Sequence, residues 1–259
     1  MIVLPHLLMP ARFPGLVVAG AEPRPSFVPL GSTTTVAGFC TDRFMIRVTF
    51  CTKRYEAGPV TVLDVDMAEF WTLLERSAGE TTGPDHRLDW LTHQLSQVSL
   101  EHVVDFQINL EAARRPIDTY AMWGAANQIL DGLCSSDAFW YFQPWLIGQG
   151  QRLWHHVAQN PDNLADLAAV RVLAGRSHEE WADAEWPQWE ELAYVAADAY
   201  ERATGRRDGL YEALDARGHR AYADPEPNDQ PWDSDSLTEI AQRLPRLARL
   251  FPRRHHVTP

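Results

Sequence analysis

The hydrophobic periodicity of the chain changes at Asp66, and this change constrains the fold more than any other sequence feature. Before it, apolar stretches of strand length alternate with turn residues, and residues 44–50 alternate apolar with polar side chains. After it, apolar residues recur every three or four positions, as Phe70, Leu73 and Leu74 do. We therefore predict an α+β protein, with a small antiparallel β region at residues 1–66 and a mainly α-helical domain at residues 67–259.

Capping and helix-breaking residues divide the helical part into segments. Asp66 and Glu69 have the spacing of a capping box, which predicts the start of the first helix. Gly132 and Pro161 are typical of positions just after a helix. We predict further helices over 85–97, 99–115, 118–131, 135–159 and 186–205, an exposed connector over 206–234, and a last helix over 235–251 that kinks or ends early near Leu244.

The charge of the chain limits the classes of partner. Among 259 residues, 35 are acidic and 23 basic, and residues 178–239 hold 17 of the acidic side chains against 5 basic ones. Nucleic acids and anionic membranes require a basic surface, so neither is expected as a partner.

No apolar run approaches the roughly 20 residues that span a bilayer. A secretory signal is not expected, and three scattered cysteines indicate a reducing cytoplasm.

A corner between two predicted helices carries the densest group of small polar residues. Asp131 precedes Gly132, and Cys134, Ser135, Ser136 and Asp137 follow it. One interpretation is an αα-hairpin in which a serine caps the second helix and Asp137 complements its dipole. The other is a ligand site at the free N–H groups of that helix.

Aromatic residues beside this corner favour the second interpretation. Tyr120, Trp123, Asn127 and Asp131 follow one stripe of the fourth predicted helix. An apolar wall with a few convergent polar groups is typical of a binding pocket, although indoles in a wide core can equally hydrogen-bond to backbone carbonyls. We predict Asp131 or Asp137 as a general base. The predicted ligand-binding residues are Tyr120, Trp123, Asn127, Cys134, Ser135, Ser136, Trp140, Gln143 and Trp145.

Motifs for metals, phosphates and activated serines are missing from the sequence. It contains no His-Glu-x-x-His, Cys-x-x-Cys, Gly-x-Gly-x-x-Gly or Gly-x-Ser-x-Gly. We therefore predict neither a metal site nor a cofactor.

Three short motifs stand out along the helical part: Phe-Trp at 70–71, Trp-Gly-Ala-Ala at 123–126 and Trp-Leu-Ile at 145–147. With them the chain resembles, over residues 68–252, an uncharacterised bacterial family known only as a domain of unknown function. The chain departs from the family pattern where Ser136 replaces an aspartate and Gln143 replaces an arginine. The resemblance implies a mainly helical fold and no particular activity.

Two functions remain open from the sequence. The first is a non-catalytic cytoplasmic binding or regulatory protein, similar to an immunity protein, whose acidic surface engages a basic protein partner. The alternative is a small-molecule enzyme or ligand-binding protein that uses a Trp-lined polar pocket at residues 120–145. Whether the protein is an enzyme is left undecided.

Overall fold

Helices form the described part of the computed structural model, which comprises residues 67–220 and 224–253. Its α-helices are α1 (Met67–Glu80), α2 (Pro84–Ser96), α3 (Leu100–Arg114), α4 (Tyr120–Ile129), α5 (Ser136–Ile147), α6 (Gln151–Gln159), α7 (Ala168–Arg171), α8 (Val195–Thr204), α9 (Gly209–Ala216), α10 (Leu237–Arg243) and α11 (Pro245–Leu250). Short 3₁₀ helices lie at Arg115–Ile117, Pro161–Asp166, His178–Glu180, Asp183–Glu185 and Glu190–Ala193.

The prediction of an α+β fold is wrong. The described part of the chain is all-α, because residues 67–220 and 224–253 contain helices and no strand. That prediction depended entirely on apolar alternation in residues 1–66, which lie outside the described residues, as does the predicted β region itself.

Side-chain caps explain where several helices begin. The hydroxyl of Ser99 accepts a hydrogen bond from the backbone of His102, and Thr119 does the same for Met122 at 3.0 Å. Ser135 caps α5 in the same way. These caps satisfy amide groups that a helix leaves unpaired in its first turn. The predicted starts near residues 85, 99 and 118 agree with these helices to within about two residues.

Glycines divide the segment predicted as one helix over 135–159. It breaks after Ile147 into α5 and α6, and Gly150 adopts a φ of 93° between them. Gly148 lies against Trp189, so a Cβ there would be 2.7 Å from the indole ring. Glycine suits both positions: Gly148 has no Cβ to clash with Trp189, and Gly150 adopts a left-handed conformation that other residues rarely adopt.

Two other predicted helices are shorter than expected. The region 186–205 becomes a regular α-helix only at α8, because Trp189 has non-helical backbone angles and donates its backbone N–H to the carbonyl of Tyr141 at 3.0 Å. The last helix is divided at Leu244 into α10 and α11, as Pro245 indicated. The predicted connector 206–234 is not entirely irregular, since it contains α9.

Residues 224–236 form a segment that we call the strap, and it crosses the N-terminus of α4. The carboxylate of Asp229 accepts hydrogen bonds from the backbone amides of Tyr120 and Ala121. The indole of Trp232 donates to the carbonyl of Tyr120 at 3.0 Å and packs against Gly124. The strap therefore caps and covers α4 from a distant part of the chain.

A single core of buried apolar residues underlies these helices. It includes Leu74, Leu91, Val103, Phe139 and Leu192, each with none of its surface exposed. Within the described ranges, no helix is both long and apolar enough to cross a lipid bilayer.

Candidate functional site

The polar corner between α4 and α5 is built from helix caps. The hydroxyl of Ser135 accepts a hydrogen bond from the backbone N–H of Ala138 at 3.1 Å. Ser136 and Asp137 are exposed in the first turn of α5. Asp131 lies beyond the end of α4 with a φ of 53°, so it leaves the stripe on which the sequence placed it. This geometry agrees with the αα-hairpin interpretation.

Trp123 and Asn127 use their polar groups to hold the same corner. The indole N–H of Trp123 donates to the carbonyl of Cys134 at 2.9 Å. The side-chain oxygen of Asn127 accepts the backbone N–H of Cys134 at 3.1 Å, and its amide nitrogen contacts Ser234 of the strap. The ring of Trp123 stacks on Phe139 with centroids 5.0 Å apart. The structure thus brings Trp123, Asn127 and Cys134 together around backbone groups.

Burial suppresses the acidity of Cys134. The residue is 8 % exposed, and this burial raises the pKa of its thiol to about 12. A thiol with such a pKa is almost entirely protonated at neutral pH and is therefore a poor nucleophile.

Trp140 and Gln143 face α3 and not the Trp123 group. Gln143 is fully buried, and its side-chain oxygen accepts hydrogen bonds from Nε and Nη2 of Arg114 at 3.0 and 2.8 Å. Its amide nitrogen donates to Asp118 Oδ1 at 2.9 Å. The guanidinium of Arg114 also lies over the ring of Trp140. Trp145 is buried elsewhere, against Phe142.

The predicted ligand-binding residues therefore do not converge on one pocket. Trp123, Asn127 and Cys134 form one group, Trp140 and Gln143 belong to a second, and Ser135, Ser136 and Asp137 lie at the surface. Tyr120 extends the first group by stacking on Trp123. The assignment of these residues to a ligand, and of Asp131 and Asp137 to catalysis, stays a prediction.

Tyr194 is a partly exposed tyrosine whose phenol is influenced by the charge of the buried Arg114. It precedes α8 and is 43 % exposed. Partial burial and the charge of Glu190 raise the pKa of its phenol, and the positive charge of Arg114 opposes this shift. Tyr141 is hydrogen-bonded to the same Glu190, and its pKa is raised by partial burial and by that carboxylate. Tyr194 therefore lies near both Glu190 and Arg114, and it also lines an open groove.

An open groove of about 390 Å³ lies between α8 and α9, with α2 at one side. Tyr194, just before α8, and Ala197, Asp198 and Glu201 within it lie on one side of the helix, since residues 194, 197 and 201 are spaced by three and four positions. The remaining lining residues are Leu88, Glu191, Arg207, Asp208 and Tyr211.

Two glycines position the wall of this groove that α9 provides. Gly205 ends α8 in the left-handed conformation, with a φ of 71°. Gly209 lies against the ring of Tyr200, where a Cβ would be 2.6 Å from Cε1. Because Gly209 has no side chain, α9 lies directly on α8, and Tyr211 is directed into the groove lining.

Carboxylates dominate the charged groups of the groove. Glu191, Asp198, Glu201 and Asp208 are exposed, and none of them pairs with a cation in the part of the chain that the structure describes. Among the described lining residues, Arg207 is the one basic side chain. Such a surface attracts cationic groups. Among residues 67–220 and 224–253, no group of three or more His, Cys, Asp or Glu side chains has the arrangement of a metal site.

The residues of this groove were not predicted as a set. The excess of acidic residues at 178–239 is visible in the sequence, but none of them was predicted to belong to a site. The signal was the spacing of Tyr194, Asp198 and Glu201 by four and three residues on a predicted helix. The contribution of Arg114 and Asp118 had no comparable signal, because their partner Gln143 is 25 or more residues away.

Comparison with known proteins identifies a family without an assigned activity. A family model described as "Protein of unknown function (DUF4240)" matches residues 65–202, which is more than half of the chain. No curated protein and no solved structure matches the chain. The matched residues include Glu191, Tyr194, Asp198 and Glu201 of the groove. The resemblance to an uncharacterised domain family is confirmed, and the chain belongs to the DUF4240 family of proteins of unknown function.

Proposed function

We propose that the protein is a non-catalytic binding or regulatory protein of the cytoplasm, of the immunity-protein kind, that engages a basic protein partner through the groove between α8 and α9. One observation carries this proposal: four exposed carboxylates, which pair with no cation among the described residues, line the same groove as two exposed tyrosines. The cytoplasmic assignment is supported by the three scattered cysteines, since secreted domains commonly pair theirs.

The acidic side chains of the groove, and of the region around it in the sequence, fit a cationic partner. Its described lining carries four carboxylates and one guanidinium, and these charged residues all belong to the region 178–239, in which acidic side chains outnumber basic ones by 17 to 5. A field of one sign over a groove increases the association rate of an oppositely charged partner. The region therefore supplies long-range attraction, and the groove supplies local contacts.

The geometry gives less support to the alternative function, a small-molecule site at residues 120–145. The polar groups of Trp123 and Asn127 are already hydrogen-bonded to the backbone of Cys134, and Gln143 is fully buried between Arg114 and Asp118. A ligand there would have to displace these bonds, each of which holds two parts of the chain together.

Binding to a fluorescein-labelled octalysine peptide, followed by fluorescence anisotropy, tests the proposal. We expect saturable binding at low ionic strength that weakens steadily as salt is added. The double variant Asp198→Asn/Glu201→Gln should bind about fivefold more weakly, since each rim contact contributes modestly. Arg207→Gln should bind about twofold more tightly, because it removes a positive charge from the lining.

A matched control separates the groove from the general charge of the molecule. Glu179 and Asp183 are exposed in the same acidic region but do not line the groove. The double variant Glu179→Gln/Asp183→Asn changes the net charge by the same amount and should keep its affinity within about twofold. Absence of binding, binding indifferent to salt, or equal weakening by both double variants would refute the proposal.

A further inference from the structure

We infer that Tyr194 and Tyr211 select arginine over lysine in the basic partner, by accepting a guanidinium group between or against their rings. The inference rests on the proposed function and specifies the chemical group that the groove recognises. Tyr194 and Tyr211 form the aromatic part of the groove lining, and attraction between charges alone gives these two rings no role.

Both rings are open to solvent at the groove. Tyr194 and Tyr211 are 43 % and 41 % exposed, and they come from opposite walls, before α8 and in the first turn of α9. The two phenols are close enough for Tyr211 to contribute to the raised pKa of Tyr194. Large aromatic side chains are usually buried or capped by neighbours, so two exposed rings lining one groove indicate a contact surface.

The carboxylates beside the rings complete the geometry that a guanidinium requires. Asp198 and Glu201 follow Tyr194 along the same face of α8, and Asp208 precedes Tyr211 by three residues. A guanidinium is planar, so it stacks on an aromatic face and still directs its N–H groups sideways to carboxylate oxygens. The compact and strongly hydrated lysine ammonium cannot make both contacts as well.

The same pairing occurs elsewhere within this chain. The guanidinium carbon of Arg87 lies 4.6 Å from the ring centroid of Trp189, and that of Arg243 lies 5.1 Å from that of Trp232. Among the residues that the structure describes, no guanidinium stacks on Tyr194 or Tyr211. Arginine thus stacks on tryptophan rings elsewhere in the described residues, and the phenol rings of Tyr194 and Tyr211 offer a guanidinium the same type of aromatic face.

Comparison of octaarginine with octalysine tests the inference, by fluorescence anisotropy on the full chain. Wild type should bind octaarginine at least about fivefold more tightly than octalysine. Tyr194→Leu/Tyr211→Leu should abolish this preference, so that the variant binds octaarginine and octalysine with affinities within about twofold of each other. Tyr194→Phe/Tyr211→Phe should retain the preference, because the rings remain.

The outcomes distinguish this inference from the proposed function. If octalysine binds in a salt-dependent way but wild type shows no preference for octaarginine, the inference fails and the proposed function stands. The same holds if the leucine double variant keeps the preference, since arginine would then be selected by the carboxylates alone. If neither peptide binds, both fail.

Thermal unfolding of the leucine variant is the folding control. Its Tm should match that of wild type, because both rings are exposed.

Discussion

The guanidinium carbon of Arg114 lies 3.0 Å from the ring centroid of Trp140, although Arg114 is only 3 % exposed. Its N–H groups bond to Gln143, and Gln143 bonds to Asp118. The second carboxylate oxygen of Asp118 accepts the backbone N–H of Glu226 in the strap at 2.9 Å. A chain of buried polar contacts therefore links α3 through α5 to the strap.

Replacing Arg114 by methionine should destabilise the protein by about 3 kcal/mol, because it leaves buried polar partners without their donor. Urea unfolding followed by circular dichroism measures this free energy. Arg171→Met is the control: Arg171 is exposed at the end of α7, and its loss should change the free energy of unfolding by less than about 0.5 kcal/mol. Equal effects of the two substitutions would contradict a structural role for the Arg114 network.

Gly124→Ala should destabilise the protein by more than about 2 kcal/mol. A Cβ at this position would lie 2.1 Å from Cζ2 of Trp232, so the strap has to move away from α4. Gly79→Ala is the matched control, since no atom lies within 4 Å of its added Cβ and it is also helical. Alanine is the better helix former, so Gly79→Ala should stabilise by about 0.5–1 kcal/mol. Thermal unfolding compares the two, and opposite signs are expected.

Asp166 should make stability depend on pH in the acid range. Hydrogen bonds from Arg246 and then His156 lower the pKa of its carboxyl from 3.8 to about 2. A lowered pKa stabilises the folded state above the ordinary value of 3.8, and this contribution is lost as the pH falls through about 2. Asp166→Asn should therefore lower the Tm at pH 5, and the difference from wild type should shrink toward zero near pH 2.

Calorimetry between pH 5 and 2 measures this difference. Asp183→Asn serves as the control, because Asp183 is exposed and has no ion pair within the described ranges. Its Tm should follow that of wild type across the whole range. A constant difference for Asp166→Asn would mean that its ion pair does not act through titration.

Cys134 should react slowly with iodoacetamide in the folded protein. Burial raises the pKa of its thiol to about 12, so almost no thiolate is present at pH 8. Peptide mass spectrometry after timed alkylation measures labelling at this residue separately from the other two cysteines. Labelling in urea should be at least about a hundredfold faster. Rapid labelling of the native protein would show that the corner between α4 and α5 opens readily.

The parts of the fold that were predictable from the sequence depend on local signals. The caps at Ser99 and Ser135, and the division of the last helix before Pro245, follow from contacts within a few residues. The break after Ile147 was missed, because the approach of Trp189 to Gly148 joins residues far apart in the chain. The start of α8 was misplaced for a similar reason, since the backbone of Trp189 pairs with Tyr141.

The candidate site was harder to predict for the same physical reason. Spacing placed Trp123 and Asn127 on one stripe of α4 correctly, but it could not show that both already bond to the backbone of Cys134. The acidic region was visible in composition alone. Four of its carboxylates line one groove because α9 packs closely on α8, and this packing depends on the contact between Gly209 and Tyr200.

The strap determines how this protein can be cut for experiments. Residues 65–202, which the family model covers, include α4 but neither Asp229, which caps it, nor Trp232, which covers it. Leu244 and Leu247, both in the core, also lie beyond residue 202. An expression fragment ending at that boundary would keep the cap from Thr119 but lose the acceptor of the Tyr120 and Ala121 amides, and it would expose an apolar surface. A shortened version should therefore extend beyond Leu247, since the folded unit reaches further along the chain than the residues that the family model matches.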